Sequence, residues 1–218
     1  MRAATRRAFL GATPLLATLA SSPILAAPRA PRKPGALESG GAVTSVGRDA
    51  ARAASDATVT PVSGLPDLAS VLLPMDPPAL PPEGVFMDAE GGEHRLDEFR
   101  GNGMVINFWA TWCQPCIAEM PSLVTLSRAM APYGIAVLTL SSDRGGAAVV
   151  RAWYESRGIT GLPVLLDPRG TMARAWGARG IPATYVVARD GTRRGYIEGA
   201  ADWSSAATAA LIRRLVEG

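Results

Sequence analysis

Cys113-Gln114-Pro115-Cys116 holds the only two cysteines of the 218-residue chain. The apolar run Met104-Val105-Ile106-Asn107-Phe108-Trp109 leads into it, and a segment with helical periodicity, Ile117 to Met130, leads out. The pair therefore falls where a buried strand ends and a helix begins. Cysteines at i and i+3 on a helix start lie close enough to bridge. The unsatisfied N–H groups and positive dipole end there favour a thiolate. Pro115 fits the first helical turn, where a missing N–H costs nothing. Cys113 is expected at an exposed entrance and Cys116 one turn in, partly covered. In that arrangement a Cys113 thiolate can attack a partner disulfide, and Cys116 can then resolve the mixed disulfide. A stable staple or two inert thiols are the other readings. A bridge closing so small a loop constrains the unfolded chain only weakly, so stability alone explains the pair poorly.

Charge and composition narrow the remaining classes. Residues 1–55 carry eight basic and two acidic side chains, whereas residues 56–218 carry 14 basic and 17 acidic ones. The pI of 9.2 thus belongs to the N-terminal tract. The C-terminal part has no basic stripe with interleaved aromatics, which excludes a nucleic-acid reading of that pI. His94 is the single histidine, so no zinc site of ordinary spacing is expected. The thiol pair alone could capture a soft ion such as Cu(I).

Residues 1–27 read as an export signal or N-terminal anchor. Arg6-Arg7 precedes a moderately apolar stretch, Leu10 to Ala27, broken by Pro14 and Pro23. It is too interrupted for a stable membrane span of about 20 apolar residues. The pattern resembles a twin-arginine (Tat) signal, with an ordinary Sec signal as the alternative and a small-residue processing site at Ala26. Residues 28–82 read as a Pro/Ala/Gly-rich linker, largely disordered. Leu65 to Leu73 could form a short helix there, and Pro74, Pro77, Pro78, Pro81 and Pro82 are expected to stop any regular element.

Residues 83–218 read as one α/β domain. Val85 to Leu96 looks like a hairpin across a glycine turn. Strands are expected at Met104–Trp109, Ile135–Leu140, Pro163–Asp167, Ala183–Val187 and Arg193–Ile197. Helices fall between them at Ile117–Met130, kinked at Pro121, and at Ala147–Arg157 and Thr171–Trp176. A last helix capped by Asp202 is expected to turn Trp203, Ala207, Leu211, Ile212 and Leu215 inward. Alternating strands and helices imply parallel pairing, and the Asp190-Gly191 turn adds an antiparallel pair. The sum is a mixed central sheet flanked by helices, with an N-terminal β-hairpin.

Asn107-Phe108-Trp109-Ala110-Thr111-Trp112-Cys113-Gln114-Pro115-Cys116, followed by Glu119-Met120-Pro121, resembles the thioredoxin superfamily, and within it the TlpA/ResA-type exported thiol–disulfide oxidoreductases. Gly180-Ile181-Pro182-Ala183-Thr184-Tyr185 is similar to the segment that carries that fold's cis-proline. The resemblance implies a thioredoxin-like fold over about 84–218. It implies a periplasmic protein-disulfide reductase that needs no cofactor beyond a redox-active Cys113–Cys116 disulfide, and no metal. It implies that Pro182 faces the disulfide and leaves Ile181 to bond an extended substrate. It gives Glu119 a part in cysteine ionisation and proton transfer, and lets Trp112 shield the sulfurs. Asn107 stands where ordinary thioredoxins carry a buried aspartate, so proton removal from Cys116 falls to Glu119, water or the substrate. The implied partners are proteins with disulfides or thiols, such as apocytochrome c or copper-delivery proteins of oxidase assembly. A membrane electron donor of the DsbD/CcdA type and a monomeric state are implied as well.

Three rival functions share these residues. A disulfide oxidant or isomerase would use the same pair, but Gln114-Pro115 lacks the histidine of strongly oxidising relatives. A Cu(I)-binding module would use both sulfurs, although His94 lies upstream of the pair, whereas Sco-type carriers place theirs downstream. A thiol peroxidase on the same fold wants Thr or Ser three residues before its cysteine, and Ala110 stands there.

Overall fold

The computed structural model describes residues 64–218. The export segment expected over 1–27 and the linker residues 28–63 lie outside it. Chain order is α1 (Leu68–Val71), β1 (Leu73–Ala79), β2 (Val85–Asp88), β3 (Glu93–Arg95), β4 (Gly103–Trp109), α2 (Gln114–Met130) and β5 (Ile135–Ser141). Then come α3 (Gly146–Arg157), β6 (Leu165–Leu166), α4 (Thr171–Ala175), β7 (Ala183–Val187), β8 (Arg193–Glu198) and α5 (Ala206–Glu217). Single 3-10 turns lie at Leu96–Phe99 and Ala131–Tyr133. Among the described residues, eight strands form one sheet in the order β1-β8-β7-β4-β5-β6-β2-β3.

The centre of that sheet is β4, buried at all seven positions because both of its faces are covered. It pairs parallel with β5, from Gly103↔Ile135 to Trp109↔Ser141, and antiparallel with β7. Side chains alternate across the sheet. Val105 and Trp109 pack with α2, α3 and α5, while Met104, Ile106 and Phe108 pack with Phe86, Met172 and Trp176 on the other face. Asn107 shares the first face, the one that carries the cysteine helix. The missing side chain of Gly103 makes room for α5: a Cβ there would lie 2.2 Å from Val216 Cγ1 and 3.1 Å from Ile135 Cγ1. Gly134, at φ 62°, turns the chain out of the second 3-10 turn and into β5.

The hairpin, the helices flanking a mixed sheet, the parallel β4–β5 pair and the antiparallel β7–β8 pair agree with the sequence reading. Two details differ. The short helix expected within Leu65–Leu73 forms as α1, Leu68–Val71, but the prolines after it do not stop regular structure: β1 pairs antiparallel with β8 through Leu73↔Tyr196 and Pro74↔Gly195. Prolines are tolerated there because β1 lies at the sheet edge, where one side of the strand needs no N–H donors. The cap of α5 is Ser205, whose hydroxyl accepts from Thr208 N at 3.0 Å, and not Asp202. Asp202 is instead tied to Pro66, its N–H donating to the Pro66 carbonyl at 2.9 Å. Trp203 therefore precedes the helix, and Ala207 is exposed. Helix α3 turns Val150 and Tyr154 into the core. As expected, α2 starts at the cysteine pair and carries Pro121 within it on the way to Met130.

Candidate active site

β4 delivers the chain to the site. After Trp109 it turns through Ala110-Thr111-Trp112 and enters α2 with Cys113 as N-cap. Asp143 pins this turn: its carboxylate accepts from Thr111 N at 2.8 Å, from Thr111 Oγ1 at 2.7 Å and from Ser141 Oγ at 2.7 Å. The two cysteines form a disulfide with Cα atoms 5.3 Å apart. Cys113 Sγ accepts from Cys116 N at 3.3 Å, the bond that a helix start offers a capping sulfur. Cys113 is 6% exposed and Cys116 fully buried, so Cys113 is the sulfur within reach of a partner.

Across from the disulfide runs the loop into β7. The Ile181–Pro182 peptide is cis. Ile181 O lies 3.6 Å from Cys113 Sγ. A disulfide sulfur has no hydrogen to donate, so in the oxidised state this is a contact; a Cys113 thiol there could donate. Ile181 is half-buried and Pro182 buried. Trp112, next to Cys113 in the chain, is 67% exposed. Pro115 is exposed in the first turn of α2.

Beneath the sulfurs lies Glu119, one turn after Cys116 on α2 and fully buried. Its Oε2 accepts from Trp203 Nε1 at 2.9 Å and from Ala201 N at 3.1 Å. Its Oε1 accepts from Asn107 Nδ2 at 2.9 Å, and the same nitrogen donates to Thr184 Oγ1 at 2.8 Å. Burial pushes the Glu119 carboxyl up to about 7, against the pull of its three donors toward the charged form. Asn107 Oδ1 is buried without a partner. Protonating Glu119 at Oε1 and turning the Asn107 amide over would match that acceptor to the new hydrogen. The carboxyl thus sits where it can hold or release a proton near neutral pH, and the amide beside it can follow.

The cysteines, Glu119, Trp112, Pro115, Ile181 and Pro182 thus come together around one end of β4. Sequence reading missed Trp203, Ala201 and Thr184 as partners of Glu119 and Asn107, and Asp143 as the brace of the Cys113 turn. These contacts span 32 to 84 residues and have no local pattern. Among the described residues no three His, Cys, Asp or Glu side chains are gathered as a metal centre would need.

A mixed sheet whose central strand feeds a Cys-x-x-Cys helix start, opposite a cis-proline loop, defines a thioredoxin-like thiol–disulfide oxidoreductase. Residues 79–194 match the AhpC/TSA family, and the chain belongs to it. A thiol-disulfide oxidoreductase ResA from Geobacillus thermodenitrificans is 33% identical over 118 residues, 54% of this chain and 67% of that one. The fold recurs in a secreted thiol-disulfide isomerase from Corynebacterium glutamicum (TM-score 0.58, 17% identity, 68% of this chain and 93% of that one). It recurs too in a thiol:disulfide interchange protein of the thioredoxin family from Chlorobium tepidum (TM-score 0.52, 23% identity, 65% of this chain and 97% of that one).

Proposed function

We propose that this protein is an exported dithiol reductant of partner-protein disulfides, with Cys113 as nucleophile and Cys116 as resolving thiol. The observation that carries it is the order of burial in the pair: Cys113, more covered than the exposed entrance expected from the sequence, keeps 6% of its surface open beside Ile181, and Cys116 keeps none. In the reduced protein, the Cys113 thiolate attacks one sulfur of a client disulfide. A mixed disulfide forms, and the client's other sulfur leaves as a thiolate. Cys116 then loses its proton, with Glu119 as the acceptor, and attacks Cys113 Sγ. The Cys113–Cys116 bond forms, the mixed disulfide breaks, and the client leaves carrying two electrons more than it brought. Helix α2 supports the first step by favouring the Cys113 thiolate through Cys116 N. Ile181 and Pro182 line the client's path, and Trp112 and Pro115 border the sulfurs. The reaction needs no cofactor beyond the cysteine pair.

The twin-arginine leader supports a periplasmic setting, with residues 1–27 cleaved or kept as an inner-membrane anchor. Thiols there are kept oxidised, so a reductant must be recharged, and a DsbD/CcdA-type conduit is the donor we assign. Cysteines of apocytochrome c or of copper-delivery proteins are the clients of this reading, and the protein acts as a monomer. Cys113→Ser should abolish disulfide reduction, and Cys116→Ser should accumulate mixed disulfides on Cys113 that mass spectrometry can identify. Full reductase turnover by Cys113→Ser would sink the mechanism.

A further inference from the structure

A cleft of about 870 Å³ opens beside the disulfide, bordered by Trp112 and Ile181 and lined by Arg144, Arg169, Arg174 and Arg179. Its size is that of a cavity taking a drug-sized ligand, roughly 300–1,000 Å³. Ile181 joins the two places: it lines the cleft, and its carbonyl lies 3.6 Å from Cys113 Sγ. The cleft and the reacting sulfur thus border the same residue, Ile181.

The charge there is one-sided. Arg179 is held by Glu198 through Nε and Nη2, whereas no carboxylate of the described residues pairs with Arg144, Arg169 or Arg174. The two nearest acids are committed inward. Asp143 is turned to Thr111 and Ser141, and Asp167 accepts from Thr171 N at 2.8 Å and Ala173 N at 3.0 Å. Arg174 reaches back over Gly170, where a Cβ would stand 3.2 Å from its Nη1. Three unpaired guanidinium groups around a concave wall focus positive potential into it. The planar fork of arginine matches a carboxylate with two parallel hydrogen bonds.

We propose that this cleft docks an acidic segment of the client polypeptide, next in sequence to the cysteine that Cys113 attacks. The client enters along Ile181 and passes Trp112, and its Asp or Glu side chains meet Arg144, Arg169 and Arg174. This rests on the oxidoreductase reading above and adds what that reading leaves open, the class of client preferred.

The test uses the full chain and an Arg144→Gln/Arg169→Gln/Arg174→Gln variant. All three side chains are exposed, so the fold should tolerate their loss. Three substrates are compared: uncharged bis(2-hydroxyethyl) disulfide, a disulfide-bridged peptide flanked by Asp and Glu, and the same peptide flanked by Asn and Gln. The expected result is a kcat/KM about tenfold higher for the acidic peptide at low ionic strength, closing at high salt as electrostatic steering is screened. The variant should lose that preference and keep its rate on the uncharged disulfide. Equal rates on the two peptides, or a preference that survives in the variant, overturns the proposal. So does binding of anionic phospholipid vesicles that the variant loses without any change in peptide preference, which would make the cleft a membrane contact. If the native chain fails to turn over bis(2-hydroxyethyl) disulfide, the oxidoreductase reading itself falls and takes the docking proposal with it.

Discussion

Glu119→Gln should make the protein more stable, and increasingly so as pH rises. The carboxyl is fully buried and its pKa stands at about 7 against an ordinary 4.5. At ~1.4 kcal/mol per tenfold change in an ionisation constant, that displacement amounts to about 3 kcal/mol. The native state keeps a proton that the unfolded chain has already lost between pH 4.5 and 7. The carboxyl's burial therefore costs nothing below 4.5, and its full cost is reached as pH climbs through 7. Glutamine is the neutral isostere. Its oxygen can take the Oε2 position before Trp203 Nε1 and Ala201 N, and its amide can meet the unpartnered Asn107 Oδ1 once that side chain turns over. Urea unfolding of the oxidised proteins at pH 4, 6 and 8.5 reads the difference without interference from thiol titration. The other ionising groups are common to both proteins and cancel. The gap should grow from near zero at pH 4 to about 3 kcal/mol at pH 8.5, or roughly 6–12 °C in Tm for a chain this size. A pH-independent gap, or a variant less stable than the native protein at pH 8.5, would refute the assignment of Glu119 as a buried carboxyl titrating near neutrality.

Other perturbations test neighbouring parts of the structure. Trp203→Phe removes the indole donor to Glu119 Oε2 and should cost about 1.5–3 kcal/mol above pH 7 and less at pH 5; the pH midpoint of stability should move upward, as charge on Glu119 becomes harder to hold. His94 lies 3.0 Å from both Asp88 and Glu98, and its pKa is raised first by the bond to Asp88 and then by that to Glu98. His94→Gln should thus destabilise at pH 5.5 by under about 1 kcal/mol, as exposed pairs do. The loss should fade as pH rises past the folded-state pKa, and a loss larger at pH 8.5 would contradict it. Gly103→Ala drives a Cβ into Val216 and Ile135 and should cost about 1–3 kcal/mol in thermal unfolding, because both side chains are branched, buried and without room to move aside.

The reach of sequence reasoning follows the range of the interactions. Cys113 and Cys116 are legible because their chemistry depends on a spacing of three and on a strand-to-helix junction, both local. Asn107 stood out as an amide within an apolar run, and the structure places it against Glu119. Trp203 did not: its apolar character marked it for burial, but only the fold brings its indole nitrogen to a carboxylate 84 residues away. Reading Asp202 as a helix cap failed for a different reason. An Asp and a Ser near a helix start are both candidate caps; the Asp202 carboxylate closes a local turn with Ser204 N and Oγ, and Ser205, directly before the helix, caps it. The prolines of β1 signal a break in most settings; an edge position, which depends on strand order, removes the penalty. The arginine cleft is gathered from the β5–α3 turn, from α4 itself and from the segments on either side of it, so no run of charge announces it.

The direction of electron flow is the central claim, and the reduction potential of the Cys113–Cys116 pair tests it most directly. Equilibration of the full chain against defined thiol–disulfide buffers at pH 7, with the two states quantified by alkylation and mass, gives that value. A dithiol reductant with Gln114-Pro115 between its cysteines should fall at about −200 to −270 mV, in the range of glutaredoxins and thioredoxin. A potential near ~−120 mV, that of a strong disulfide oxidant, would contradict it and reverse the proposed role.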